Sequence, residues 1–330
     1  MKEQFKALVV DKGDDEFSVK VKKLSLESLP QSDVLIKVYY SGINYKDGLV
    51  SIPDGKIVKN YPFIPGIDLV GKVVSSKDPR FQEGEEVIAT SYEIGVSHFG
   101  GYSEYAHIPG DWIVPLPKNL TLKEAIVLGT AGFTAALSIQ RLEENRVSPE
   151  KGAVLVTGAT GGVGSLAVSM LAKRSYHVVA STGKGEEHEY LYKVGANEII
   201  SRDDVYNGEI KALSKQKWQG AIDPVGGNTL ASILSHIQYG GSVAVSGLTG
   251  GNKVPTSVFP FILRGVNLLG IDSVYCPMAM RQKVWERLAT DLKPDNLLDF
   301  IQNEISIDEL PEYLPTILKG KIRGRVIVKL

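Results

Sequence analysis

The chain is poor in sulfur chemistry: Cys276 is the one cysteine in 330 residues. A single thiol excludes an internal disulfide framework and any thiolate cluster that could hold a structural zinc, and it fits a reducing, cytoplasmic setting. An excess of charge of one sign is also missing. Lys plus Arg number 37 against 38 Asp plus Glu, so no broad field exists to hold phosphate backbones or an anionic membrane, and no nucleic acid is expected as a partner. Nowhere do about 18 apolar residues run uninterrupted, the length that marks a membrane-spanning helix. The amino terminus reads as a strand rather than an export signal. The five histidines, His98, His107, His177, His188 and His236, are scattered without ligand spacing.

What is present is enough chain for two cores. Short alternating segments at 7–10, 34–41, 68–74, 86–89 and 103–108, broken by Gly, Pro and Asp, read as an irregular, mostly antiparallel β domain. Near Ala125 the pattern changes: Thr121 stands in capping-box spacing to Glu124, ahead of a small-residue helical stretch. From 154 to 273, apolar runs of strand length alternate with helical stretches, which argues for crossover units and a parallel sheet covered on both faces. After Pro294 a helical stretch is expected, with 325–330 closing as a strand.

The most telling local feature is the run Val154-Leu-Val-Thr-Gly158-Ala-Thr160-Gly161-Gly162-Val163-Gly164, where a buried strand passes through glycines into an amphipathic helix. Val163, Leu166, Ala167, Met170 and Leu171 fall on one helical face. At such a turn the bare backbone can approach a pyrophosphate, and the helix amino terminus offers unpaired N–H groups with a favourable dipole. Thr160, Gly161, Gly162, Val163 and Gly164 are therefore candidate dinucleotide contacts; the alternative is a tight turn with no ligand. The spacing departs from G-x-G-x-x-G, since Ala159 and Thr160 separate Gly158 from Gly161.

Cofactor choice is read at the end of the second strand, where an acid would hold the ribose 2′-hydroxyl of NAD and repel the extra phosphate of NADP. Here the sequence is Ala180-Ser181-Thr182-Gly183-Lys184, with no acid before Glu186. Ser181, Thr182 and Lys184 suit a 2′-phosphate, so NADP(H) is favoured; a solvated loop charge is the alternative for Lys184. Ligands in open α/β sheets bind outside the carboxyl ends of strands, which adds Asp223, Leu248 and Ser273, and Arg325 is a further candidate for cofactor phosphate. Each could equally serve a turn or a surface ion pair.

Longer motifs then bring in a family. The stretches Gly42-Ile43-Asn44-Tyr45-Lys46-Asp47, Pro65-Gly66-Ile67-Asp68, Gly100-Gly101-Tyr102-Ser103-Glu104 and Thr130-Ala131-Gly132-Phe133-Thr134-Ala135 resemble the zinc-free medium-chain dehydrogenase/reductases. Within these the sequence is most similar to the YhdH/YhfP-type quinone oxidoreductases and acrylyl-CoA reductases. Asn44, Ile67 and Thr130 stand where zinc-dependent relatives carry their catalytic ligands, and this trio cannot form a zinc site. The resemblance implies an α/β protein with a GroES-like, mostly antiparallel β domain at 1–127 and 295–330. A Rossmann doubly wound parallel sheet domain, the NADP-binding part, spans 128–294. It also implies a homodimer, and it places Tyr45 and Thr130 among the cofactor contacts.

Hydride delivery to a conjugated carbonyl builds negative charge on its oxygen, so hydrogen-bond donors must replace a Lewis acid. Asn44 and Tyr45 are the candidate catalytic residues, with Tyr45 alternatively stacking near the nicotinamide and each alternatively securing the turn. Asp68 reads as a structural hydrogen-bonding residue and Asp47 with Lys46 as an ordinary surface ion pair. The stretch 91–101, with Tyr92, is a candidate pocket lining. The expected activity is NADPH-dependent reduction of a quinone, an enone or a short acyl-CoA. A non-catalytic NADPH-binding or redox-sensing protein is the alternative, and a zinc alcohol dehydrogenase is disfavoured.

Overall fold

The structure is a computed structural model that describes residues 4–13 and 16–330. It divides into two compact units, the first made of Met1–Thr130, Val274–Lys283 and Asn296–Leu330, the second of Ala131–Ser273 and Val284–Asp295. The segment Val274–Lys283, which the sequence suggested would go with the second domain, is part of the first unit.

In the first unit β1 (Phe5–Lys12) and β2 (Phe17–Leu24) form an antiparallel hairpin. The other strands are β3 (Val34–Gly42), β4 (Asp68–Ser76), β5 (Glu86–Thr90), β6 (Tyr105–Ile108) and β7 (Ile113–Pro115). They are followed in the second unit by β8 (Ala153–Val156), β9 (His177–Ser181), β10 (Glu198–Ile200), β11 (Trp218–Asp223), β12 (Ile237–Val245) and β13 (Asn267–Gly270). Finally, β14 (Ile301–Ser306) and β15 (Arg325–Lys329) return to the first unit.

The main sheet of the first unit runs β14-β15-β3-β4-β5-β7, with β6 also paired to β3. All of its pairings are antiparallel except β14 with β15. Alternation supplies its core: Val34, Ile36 and Val38 of β3 turn inward with Leu69, Val73, Val87 and Ala89. β14 corrects the purely helical expectation after Pro294. It is an edge strand whose Gln302, Asn303 and Glu304 are all exposed, so no period-two apolar signal marks it.

The helix Leu122–Glu144 starts as its sequence requires. Thr121 N–H donates to Glu124 Oε2 at 2.9 Å, and Glu124 N–H donates to Thr121 Oγ1 at 3.2 Å. It is long and apolar enough to cross a membrane, yet 78% of its most apolar window is buried, which is the pattern of a core helix. At Gly129 the backbone leaves helical geometry, with φ 48° and ψ −153°. A side chain there would put its Cβ 2.6 Å from Asp68 Oδ2. The kink therefore needs glycine, and it turns the next residue, Thr130, toward that carboxylate.

The second unit is built on a six-stranded sheet in the order β10-β9-β8-β11-β12-β13, and every neighbouring pair is parallel. This is the doubly wound arrangement in which the strand order reverses beside the first strand. Val154, Leu155 and Val156 are fully buried, as strands covered on both faces should be. The helix Gly162–Lys173 packs with Leu166, Ala167, Met170 and Leu171 buried. The fold class is thus α/β, a doubly wound parallel sheet together with a mostly antiparallel β unit.

Candidate active site

In the first unit a buried polar network assembles around Asp68, which is fully buried at the start of β4. Its Oδ2 accepts from Asn44 Nδ2 at 2.8 Å and from Thr130 N–H at 3.0 Å; its Oδ1 accepts from Thr130 Oγ1 at 2.5 Å. Thr130 Oγ1 also lies 3.0 Å from Ser91 Oγ. Because the Thr130 hydroxyl proton goes to Asp68, Ser91 is the donor in that pair.

Arg325 closes the network from β15. It is 3% exposed; Nε donates to Val127 O at 3.0 Å, and Nη1 donates to Asn44 Oδ1 at 3.1 Å and to Ile43 O at 3.3 Å. Nη2 sits 3.8 Å from Asp68 Oδ2, an ion pair by charge rather than a hydrogen bond. Arg325, offered by the sequence as a cofactor-phosphate contact, is instead buried within the unit, with Nε and Nη1 bonded there and Nη2 without a hydrogen-bond partner among the described residues. Burial pushes its proton affinity down, while Asp68 pulls it back up.

Asn44 precedes the helix Tyr45–Val50, and its N–H donates to Asp47 Oδ2 at 2.8 Å. Asp47 Oδ1 accepts Ile67 N–H at 3.0 Å. Asp47 is fully buried, so the expected surface pair with Lys46 does not describe it. Burial, and then the Asp68 charge beside it, push its carboxyl up to about 7. Tyr102 donates its hydroxyl to Gly42 O at 3.1 Å, and burial pushes its own ionisation well up, with the Asp47 and Asp68 charges adding to the effect. Tyr45, by contrast, is 44% exposed. Asn44 is tied into the framework yet uses only one amide N–H on Asp68, so Asn44 and Tyr45 keep donors that a ligand can take.

The Asp47 shift has a consequence for stability. Between about pH 4 and about pH 7 the folded state keeps a proton on Asp47 that the unfolded chain has released, so stability falls as pH rises through this window. The upper bound is on the order of 4 kcal/mol from a shift of this size. Asp47→Asn removes the titration and replaces one backbone acceptor by an NH2. Urea midpoints are expected to show the variant well below wild type at pH 5 and closer to it at pH 8; a pH-independent gap refutes the assignment.

In the second unit the glycine-rich turn lies at the carboxyl end of β8. Gly164, inside the first turn of the helix Gly162–Lys173, packs so tightly that a Cβ would stand 2.3 Å from Gly158 O. The first intrahelical bond is Ser165 N–H to Gly161 O, 2.9 Å, so the N–H groups of Gly162, Val163 and Gly164 precede the ladder and point out of the helix end. Thr160 is buried beside them.

Asp223, nominated as a cofactor contact, acts as a clamp within the unit. It is fully buried, accepts the Thr157 hydroxyl at Oδ1, and accepts Val225 N–H at 3.1 Å and Gly226 N–H at 2.9 Å. It thereby locks the ends of β8 and β11 together. Ser181 and Thr182 are buried at the end of β9; Ser181 Oγ donates to Ser201 O at 3.3 Å, and Thr182 Oγ1 accepts Lys184 N–H at 3.1 Å. Lys184 is partly buried, and burial lowers its proton affinity.

Arg202 is a neighbour that the sequence did not reveal. Its Nε would stand 2.8 Å from a Cβ built on Gly183. Leu248, 64% exposed, follows β12, and Ser273 follows β13. Ser246, the residue after β12, keeps a buried hydroxyl oxygen with no hydrogen-bond partner among the described residues.

With this geometry in place, comparison with known proteins gives the family. Residues 30–118 match the alcohol dehydrogenase GroES-like domain and residues 162–290 the zinc-binding dehydrogenase family. The chain belongs to the medium-chain dehydrogenase/reductases, a family of nicotinamide-dependent oxidoreductases. It is 68% identical over 326 residues, 99% of each chain, to the "Putative quinone oxidoreductase YhfP" of Bacillus subtilis. The structure of that protein with NAD bound superimposes with TM-score 0.98 over 100% of both chains. Acrylyl-CoA reductase AcuI of Ruegeria pomeroyi is 47% identical over 98% of each chain. The yhdH oxidoreductase of Salmonella enterica, in complex with NADP, is 44% identical with TM-score 0.95, covering 98% of this chain and 99% of its own.

Proposed function

We propose that the protein is an NADPH-dependent reductase of a quinone or an activated double bond, enone or acrylyl-CoA-like, that works without a metal. The observation that carries the reading is that the chain has both the Gly158–Gly164 turn and, at the positions of the family's zinc ligands, Asn44, Ile67 and Thr130, of which Asn44 and Thr130 are hydrogen-bonded to Asp68. Asp68, a carboxylate bonded to two of those positions, already accepts from three hydrogen-bond donors and has a buried guanidinium 3.8 Å away. A divalent cation would have to share it with the Arg325 charge 3.8 Å away. The donor set that remains, an amide, an alkyl chain and a hydroxyl, is a poor one for zinc.

The dinucleotide fits the second unit on two grounds: the N–H groups at Gly162, Val163 and Gly164 that precede the helix ladder, for a diphosphate, and the basic pair Lys184 and Arg202 near Ser181 and Thr182 for a 2′-phosphate. When bound, the reduced nicotinamide supplies the hydride. The chain's own part is to hold Tyr45 and the second N–H of Asn44 as donors for the oxygen that gains charge. The Asp47 and Asp68 carboxylates fix the turn that presents both.

Incubating the purified protein with NADPH and a panel of quinones, enones and acrylyl-CoA tests the activity; no oxidation of NADPH above background with any acceptor overturns it. Cofactor choice is a sharper test, since the relative solved with NAD is also the more similar one. Lys184→Ala or Arg202→Ala removes a charge-assisted hydrogen bond worth about 1.5–3 kcal/mol. Each is expected to weaken NADPH by about 10- to 100-fold in a fluorescence titration and to leave NADH unchanged. Equal losses for both nucleotides, or none, refute the 2′-phosphate assignment.

We also propose a cytoplasmic homodimer. β13 is a sheet edge with Leu268 exposed, and Val258, Phe259, Ile262 and Leu263 are exposed on and beside the helix Phe259–Arg264. A second copy of the chain would pair that edge and cover those side chains.

A further inference from the structure

The first unit contains a second buried guanidinium, remote in sequence from everything above. Arg281, on the helix Met278–Leu288, is 1% exposed. Its Nη1 donates to Thr90 O at 3.2 Å and Thr90 Oγ1 at 3.1 Å, its Nη2 to Val274 O at 3.1 Å, and its Nε to Tyr92 Oη at 3.2 Å. The same guanidinium lies over the Tyr92 ring, 4.3 Å from its centroid. Tyr92 in turn donates its hydroxyl to Cys276 O at 3.2 Å and its N–H to Val274 O at 3.2 Å, and it stacks on Trp112 at 5.6 Å.

These bonds converge on an unusual stretch of backbone. Ser91 and Tyr92 are consecutive non-glycine residues with φ of 65° and 48°, a left-handed conformation that such residues hold only where their surroundings impose it. The consequence of holding it is local and specific. Ser91 N–H donates to Ile67 O at 2.8 Å, and Ser91 Oγ meets Thr130 Oγ1, which holds Asp68. A relaxed turn would rotate the Ser91 hydroxyl away from Thr130.

We propose that Arg281 is a positioning residue for the active site: its guanidinium clamps Thr90–Tyr92 in the left-handed turn and so sets Ser91 against Thr130 and Asp68. The inference rests on the reading of the Asp68 network as the reductase site, and its test carries one measurement that does not. Arg281→Ala is compared with wild type by hydrogen exchange and by kinetics. Amide protection at Ser91 and Thr130 is expected to fall while protection of β8 and β11 is unchanged.

The turnover number is expected to fall by about 10- to 100-fold, the scale of an ångström-sized misplacement, with NADPH affinity within about twofold of wild type. Methylguanidinium at sub-denaturing concentration restores part of the loss and methylammonium does not, because only the planar fork serves these acceptors; Arg281→Lys stays impaired for the same reason. Thr90→Val, which removes the Oγ1 acceptor and keeps the Thr90 carbonyl, is expected to show a smaller loss in the same direction. Folded Arg281→Ala with wild-type exchange at Ser91 and Thr130 overturns the proposal whether or not the wild type turns over. So does lost protection with unchanged turnover in an active enzyme. A wild type inactive with every acceptor sinks the reductase reading alone, and exchange then decides this one.

Discussion

Asp68→Ala lowers the stability of the first unit by about 3–5 kcal/mol, the cost of leaving a buried charge without its partner. The substitution removes the acceptor for Asn44 Nδ2, for Thr130 N–H and for Thr130 Oγ1, and it leaves Arg325, 3% exposed, with no carboxylate within reach at Nη2. Of these losses the stranded cation dominates, because a neutral donor costs about 1–3 kcal/mol when unpaired. The double variant Asp68→Ala/Arg325→Met separates the contributions. Removing both charges should recover more than half of the loss, since a buried pair replaced by apolar groups is often close to neutral. Urea denaturation followed by circular dichroism reads both. A double variant as unstable as the sum of the singles would mean that the pair is not coupled and that the network depends on its hydrogen bonds alone. Catalysis should not recover with stability, because Asn44 and Thr130 still lack the carboxylate that holds them.

That network marks the limit of what the sequence discloses. The parallel sheet was legible because apolar runs of strand length recur between helical stretches, and the glycine turn because strand, glycines and amphipathic helix are contiguous. The burial of Arg325 was not legible. Its partners Ile43 and Asn44 lie 282 and 281 residues away, and an arginine near the end of a chain carries no local mark of which residues will enclose it. Asp47 beside Lys46 reads as a surface pair for the same reason; only the folded chain brings Ile67 N–H and Asp68 to it. Asp223 was placed at the correct strand end, but its clamp on Thr157, Val225 and Gly226 was not legible, since position at a strand end does not say what a carboxylate will hold. β14 escaped notice because an edge strand with three exposed polar residues in succession lacks alternation. Arg202 and Arg281 had no signal at all beyond their charge.

The glycine turn itself can be divided into packing and binding by two substitutions three residues apart. At Gly164 an added Cβ would stand 2.3 Å from Gly158 O and 2.7 Å from Ala159 Cα, both backbone atoms that cannot swing aside. Gly164→Ala must therefore push the helix off its strand, at about 1–3 kcal/mol of overpacking. That shift also misaims the N–H groups of Gly162 and Val163, so NADPH is expected to bind about 10- to 100-fold more weakly, the equivalent of one lost charge-assisted hydrogen bond. At Gly161 the Cβ would meet Gly158 O at 3.4 Å, an ordinary contact, and the backbone φ of −80° suits any residue. Gly161→Ala should leave stability within about 1 kcal/mol of wild type, yet its methyl would stand at the helix entry where a diphosphate has to approach the main chain. Loss of NADPH affinity in both variants, with stability lost only at Gly164, is the outcome that a bound diphosphate requires. If Gly161→Ala binds NADPH as wild type does, the turn is a packing device and the dinucleotide lies elsewhere.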